Sequence, residues 1–221
     1  MIGTVTKPME EIYHYLQGEK KVIVVGCDGC ARISHTGGEP EVNSMADKLE
    51  EKGFNVIARI LPERTCYIHK TKKAFAPYDN EIKEADSFLV LGCGGAVQVV
   101  RQVTEEKGIY KPIHPGLNSI GHMDTIIEDT LFLEQCQECG ECILEETGGI
   151  CPVTKCAKGL LNGPCGGAEN GKCEVDRNRD CAWILIYERL KRLGQLDRLK
   201  SYKPPKNYSK MSKPRMLQLN L

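Results

Sequence analysis

Apolar positions in the first half of the chain follow two alternating patterns. Lys21-Val22-Ile23-Val24-Val25-Gly26-Cys27 is an unbroken β-branched run stopped by glycine, which is how a strand buried on both faces of a parallel sheet reads. The same pattern returns over residues 55–61 and 87–93. Between these runs the spacing is helical. Residues 41–52 carry Val42, Met45, Ala46 and Leu49 on one face and close at Gly53; residues 79–85 and 96–107 repeat the period. An opening helix over 8–17 starts at Pro8, places Ile12, Tyr13 and Leu16 together, and stops at Gly18. Lys111-Pro112-Ile113 begins a fourth strand. Strands and helices in alternation predict an α/β fold, an open, mostly parallel, Rossmann- or flavodoxin-like sheet.

The alternation stops after Pro115-Gly116. Asp124 is placed to cap a helix carrying Ile126, Ile127, Leu131 and Leu133 into Cys136. Trp183, Ile186, Tyr187, Leu190 and Leu193 then share one helical face, continued by Leu196 and Leu199. That face is expected to pack on the sheet domain, with docking to another subunit as the second reading. From Ser201 onward lysines alternate with prolines and no acidic residue occurs. Such a tail is either disordered or wraps a partner through Tyr208, Met211, Met216, Leu217 and Leu219. The chain therefore divides into an α/β domain (1–120), a small cysteine-rich domain ending in an amphipathic helix (121–200), and an extended basic tail (201–221).

Charge removes several function classes. Thirty Lys and Arg balance thirty Asp and Glu, so the electrostatic footprint of a nucleic-acid binder is missing. No run has the length of a membrane span, and the N-terminal stretch lacks the apolar core of an export signal. A cytoplasmic location follows as the expectation. In a reducing compartment twelve cysteines against five histidines point to soft-metal or redox chemistry before disulfides.

Eight of those cysteines lie between residues 136 and 181. Cys136, Cys139 and Cys142 make two successive C-x2-C steps, which let one tight loop aim three thiolates at one centre. Cys151-Pro152 supplies the Cys-Pro of a ferredoxin run, though after eight residues rather than three. Cys156, Cys165, Cys173 and Cys181 follow among glycines. This is soft-metal ligation, with a structural zinc ribbon as the competing reading. Two thiols of one C-x2-C pair are expected to share a centre. Spacing leaves open how Cys151, Cys156, Cys165, Cys173 and Cys181 are divided.

The remaining four cysteines end strands. Cys27 closes the first, Cys30 follows it, Cys66 lies just past the second, and Cys93 closes the third. All fall on the carboxyl edge of the sheet, where ligand sites form. If the first strand lies between the other two, four thiols converge there, the complement of a [4Fe–4S] cluster. As small hydrophobes, Cys27 and Cys93 alone would need no such explanation. Gly92-Cys93-Gly94-Gly95 matches neither G-x-G-x-x-G nor the P-loop, so no nucleotide or flavin site is expected on this chain. Gly37-Gly38 reads as a flexible loop. An independent enzyme acting at an open cluster position would draw on His69 and His114 for acid–base work, although both suit surface or packing roles better.

From Cys136 to Leu199 the sequence resembles the cysteine-rich C-terminal domain family of methylenetetrahydrofolate reductases, carried in some bacteria on a separate small iron–sulfur subunit. The resemblance rests on Cys136-x2-Cys139-Gly140-x-Cys142, Gly148-Gly149-Ile150-Cys151-Pro152-Val153-x-Lys155-Cys156, Asn162-Gly163-Pro164-Cys165-Gly166-Gly167, Gly171-x-Cys173 and Cys181-x-Trp183. It implies a flavin-containing barrel partner, MetF, in which methylenetetrahydrofolate is reduced to methyltetrahydrofolate, and an electron donor such as ferredoxin or another iron–sulfur subunit. This chain is too short for a barrel plus a cysteine domain. Its expected role is an electron relay through one [4Fe–4S] cluster at Cys27, Cys30, Cys66 and Cys93 and one or two more in the cysteine-rich domain, with zinc in place of one as an option. The alternative is an adaptor stapled by zinc or by an inert cluster.

Overall fold

Successive side chains of a strand leave on opposite faces, so an unbroken apolar run demands cover on both sides. The computed structural model, which describes residues 1–129 and 131–218, supplies that cover. The first ten elements are β1 (Ile2–Thr6), α1 (Met9–Tyr15), β2 (Lys21–Val25), α2 (Cys30–Ile33), α3 (Glu39–Glu51), β3 (Asn55–Ile60), α4 (Ile68–Phe75), α5 (Asp79–Glu84), β4 (Ser87–Val90) and α6 (Gly94–Glu105). Four short strands follow: β5 (Ile113–Pro115), β6 (Leu117–His122), β7 (Thr125–Glu128) and β8 (Leu131–Leu133).

Strands β3, β2, β4 and β5 lie in that order in one parallel sheet, and the fold is α/β as the pattern predicts. Val22 and Val24 face one side with Leu89 and Leu91, covered by Ile12 of α1, by Leu16 just past its end, and by Val42, Met45 and Leu49 of α3. Ile23, Val25, Phe88 and Val90 face the other, under Phe75 of α4, Ile82 of α5 and Val100 and Val103 of α6. Each of the four sheet residues on this second face is fully buried.

Two features depart from the sequence reading. Strand β1 pairs antiparallel with β6, Thr6 opposite Leu117 and Ile2 opposite His122. The helix expected after Asp124 is instead the hairpin β7–β8, in which Ile126 faces Phe132. Thr125-Ile126-Ile127 is β-branched throughout, which favours a strand over a helix. The first compact unit runs from Met1 to Leu133.

The second unit begins at Glu134 and has little regular structure. It contains α7 (Pro152–Lys155), α8 (Ala182–Arg192) and 3₁₀ turns at Leu196–Lys200 and Tyr208–Met211. Its core is Cys181, Trp183, Ile186 and Leu190, with Ile150, Cys156, Leu160 and Leu196 against them. The apolar face of α8 therefore fills the centre of its own unit, where the sequence pattern assigned it to the sheet domain, and Tyr187 and Leu193 stay exposed. The tail lies along this unit, held at Lys203, Asn207, Lys210 and Lys213; Leu219 lies outside the described residues. Among the described residues no helix is long and apolar enough to cross a membrane.

Candidate metal centres

The sheet order decides the first site. With β3 on one side of β2 and β4 on the other, the loops after three parallel strands open onto one crevice at the carboxyl edge. Cys27, Cys30, Cys66 and Cys93 line a single cavity of about 280 Å³ there, together with Asp28, Arg64 and Tyr67. The four thiols thus come together as their strand-end positions predict. They stand around the cavity walls; among the described residues no three His, Cys, Asp or Glu side chains are gathered for a single ion.

Backbone hydrogen bonds fix the loops that carry them. Cys27 N–H donates to the Gly37 carbonyl at 2.8 Å and Asp28 N–H to the Pro62 carbonyl at 3.0 Å. Thr65, fully buried, donates its hydroxyl to the Gly26 carbonyl at 2.6 Å, and Thr71 donates to the Thr65 carbonyl at 2.8 Å. Together they hold the loop bearing Cys66 against the end of β2. Gly37 is no flexible linker: a Cβ there would lie 2.2 Å from the Leu91 carbonyl oxygen. Only glycine lets the loop after α2 pass so close to the end of β4.

The sulfurs are close enough to influence one another. Burial pushes the Cys66 thiol up, and the neighbouring Cys27, Cys93 and Cys30 thiols push it further, since like charges disfavour one another. Thiolates gathered around one space repel one another, and a cation between them relieves that repulsion. Cys93 is also the N-cap of the twelve-residue helix α6, at the positive end of its dipole. Arg64 lies over the Tyr67 ring at 5.4 Å and donates to its hydroxyl at 3.1 Å, on the cavity wall.

In the second unit the structure gathers four of the eight thiols that spacing left unsorted. Cys156, Cys165, Cys173 and Cys181 line one narrow cavity with Glu174, Ala168 and Trp183. Cys181 N–H donates to the Gly171 carbonyl at 2.8 Å and Cys173 N–H to the Arg179 carbonyl at 2.9 Å, which folds the 165–181 loop back on α8. The Cys173 thiol is lowered by backbone hydrogen bonds at Val175 and Asp176. Trp183 caps the site: its indole N–H donates to the Leu160 carbonyl at 3.0 Å, and its ring lies so close to Gly163 that a Cβ would fall 2.2 Å from Cδ1.

Cys136, Cys139, Cys142 and Cys151 remain. Thr154 donates to the Gln135 carbonyl at 3.1 Å and to the Cys151 sulfur at 3.5 Å, bringing Cys151 beside the start of the C-x2-C-x2-C loop. Glu138, in the left-handed region at φ 52°, turns its N–H to the Cys136 sulfur at 3.4 Å. Backbone N–H groups aimed at sulfur are the outer shell that thiolate-held metal needs.

The histidines take no part in these sets. His114 lies 3.1 Å from a Glu19 carboxylate oxygen and stacks on Tyr15, a packing role. His69 tilts against Tyr67 at 5.9 Å. Sequence reasoning missed Thr65, Thr154 and Gly37, whose roles depend on contacts across the fold.

Comparison with known proteins gives one match. Residues 114–209 match the family model described as methylene-tetrahydrofolate reductase C terminal. The match spans all eight cysteines of the second unit and the first nine residues of its tail, and it excludes Cys27, Cys30, Cys66 and Cys93. No curated protein and no solved structure matches the chain.

Proposed function

We propose that this chain is an accessory subunit of a methylenetetrahydrofolate reductase complex that relays single electrons to a flavin on its partner. The observation that carries the reading is the cavity at the sheet edge, where thiols from separate loops surround a shared space. A donor set of four thiolates spread over cavity walls suits a [4Fe–4S] cluster, which brings its own iron and sulfide between the ligands. The family match supplies the context.

In this reading Cys27, Cys30, Cys66 and Cys93 hold one cluster, Cys136, Cys139, Cys142 and Cys151 a second, and Cys156, Cys165, Cys173 and Cys181 a third. Such clusters accept and give up one electron at a time, at potentials set by burial and by hydrogen bonds to sulfur. The protein's part is to hold the thiolates and exclude water. Thr65 and Thr71 lock the Cys66 loop, the Cys27–Gly37 bond locks the β2 end, and α6 aims its N-terminus at Cys93. The partner is a MetF-type flavoprotein and the donor a ferredoxin or another iron–sulfur subunit.

The test is iron, zinc and acid-labile sulfide per chain on protein purified without oxygen. About twelve irons with matching sulfide is the expected result for three four-iron clusters. In Cys66→Ser about four irons are lost, with the rest retained. Zinc with little sulfide would overturn the relay and leave a structural adaptor.

A further inference from the structure

The basic tail is not a loose appendage of the second unit. Lys203 exchanges two hydrogen bonds with the Asn162 side chain, at 2.7 and 2.8 Å, and its ammonium pairs with Glu146 at 3.0 Å. Further on, Asn207 N–H donates to the Glu141 carboxylate at 3.2 Å and Lys210 pairs with the same carboxylate at 2.6 Å. The Lys210 stem lies over Gly140, 3.2 Å from where a Cβ would stand. The tail is a strap across the loop that carries Cys136, Cys139 and Cys142.

Lys206 sits in the middle of that strap and is only 8 % exposed. A lysine is almost never this buried without a charged partner. Its ammonium donates to the Glu141 carbonyl and, at 3.4 Å, to the Cys139 sulfur, while the Glu141 carboxylate is engaged by Lys210 and Asn207. Lys206 is thus a buried cation with the Cys139 sulfur within hydrogen-bond reach.

We propose that Lys206 is a charge-setting residue of the Cys136, Cys139, Cys142 and Cys151 centre, folded over Cys139 by the tail so as to raise the reduction potential of that centre above the value its thiolates alone would give. The inference rests on the reading of this set as a redox centre. When a one-electron donor, a reduced iron–sulfur protein, is oxidised by one electron and the centre is reduced by one, the site gains one negative charge. Lys206 supplies a fixed positive charge within hydrogen-bond reach of one ligand sulfur, where the strap keeps water from screening it. The reduced form therefore gains more from Lys206 than the oxidised form does. The residue touches neither substrate nor flavin.

The experiment is an EPR-monitored redox titration of the full chain, purified without oxygen, as wild type, Lys206→Met, Lys206→Gln and Lys206→Arg. The expected result is that the two neutral variants shift one cluster signal to more negative potential while the arginine variant stays near wild type. A tenfold change in the reduction equilibrium would read as about 59 mV for one electron. Unchanged potentials in the neutral variants with full iron content overturn the proposal. If the neutral variants lose that centre's iron, retention in Lys206→Arg still assigns the role to charge; loss in all three makes Lys206 a packing residue and overturns it. If the wild type carries zinc instead, the relay fails, and Lys206 is read by zinc release to a chelator. Faster release from the neutral variants than from Lys206→Arg then supports its charge role, and equal rates overturn it.

Discussion

The first unit hangs four thiols on a scaffold that holds itself together, and the second hangs eight on loops that do not. Around β2 and β4 two apolar layers are closed by α1 and α3 on one side and by α4, α5 and α6 on the other. In the second unit the buried apolar centre is one face of α8 plus Cys181, and a cysteine is itself a quarter of that core. The thiols of the first unit decorate a fold; those of the second are part of what the fold is made of. Metal binding in the second unit should then count as folding free energy.

The most severe way to break this contrast is to remove the metal. Chelation of the anaerobic protein should abolish amide protection across residues 134–200, while β2, β3 and β4 keep theirs. In the first unit the effect should be confined to the loops bearing Cys27, Cys30 and Cys66. Hydrogen exchange followed residue by residue checks this. Retained protection over α8 in metal-free protein would mean that the Trp183 cluster suffices alone, and the contrast would be lost.

A paired substitution sharpens it at smaller scale. Gly37→Ala forces a methyl to within 2.2 Å of the Leu91 carbonyl, and Gly163→Ala forces one equally close to the Trp183 ring. Overpacking of this kind costs about 1–3 kcal/mol. The first unit has the core to absorb that loss, so Gly37→Ala should fold and lose the sheet-edge metal selectively. The second has not, so Gly163→Ala should lose both of its own centres while Cys27, Cys30, Cys66 and Cys93 keep theirs. Metal content per chain, with circular dichroism to follow the fold, separates the two outcomes.

The same contrast decided what could be read from the sequence. β2 and β4 were legible because a strand buried on both faces leaves an unbroken apolar run, β3 because Val56, Ile57 and Ile60 keep enough of that pattern, and Gly26 and Gly92 mark the ends of the first two. Once three such strands are parallel, their ends share an edge, so the convergence of Cys27, Cys30, Cys66 and Cys93 followed from topology alone. β1 was invisible: Gly3, Thr4 and Thr6 break its pattern, and its partner β6 is over a hundred residues away. Ile126, Ile127 and Leu131 fit helix and strand spacing alike, and the β-branched run decided for the hairpin. The convergence of Cys156, Cys165, Cys173 and Cys181 on one cavity was illegible because it depends on the 165–181 loop folding back on α8, and Cys151 stands only five positions before Cys156 across α7. No spacing rule carries that information, and none distinguishes Lys206 from the solvated lysines around it.

The smallest predicted effect tests the self-sufficiency of the first unit directly. Asp86 lies just before β4, and one of its carboxylate oxygens accepts the N–H groups of Lys21 and Lys20, each at 2.8 Å. These bonds, Lys21 first, hold the carboxyl below its ordinary range against a minor opposing effect of burial. A carboxyl lowered by folding adds stability that is fully present above its unfolded pKa and is lost as pH falls through its folded one. In metal-free chain, Asp86→Asn should therefore lower the thermal midpoint of the first unit by only a few degrees at neutral pH. The gap to wild type should close as the solution is acidified below the ordinary carboxylate range. The carboxylate is exposed, so salt should narrow the gap as well. A gap that stays constant with pH would assign the effect to the shape of the side chain and not to its charge. A first unit with no thermal transition once metal is removed would be the larger failure, because its sheet would then depend on the metal as the second unit does.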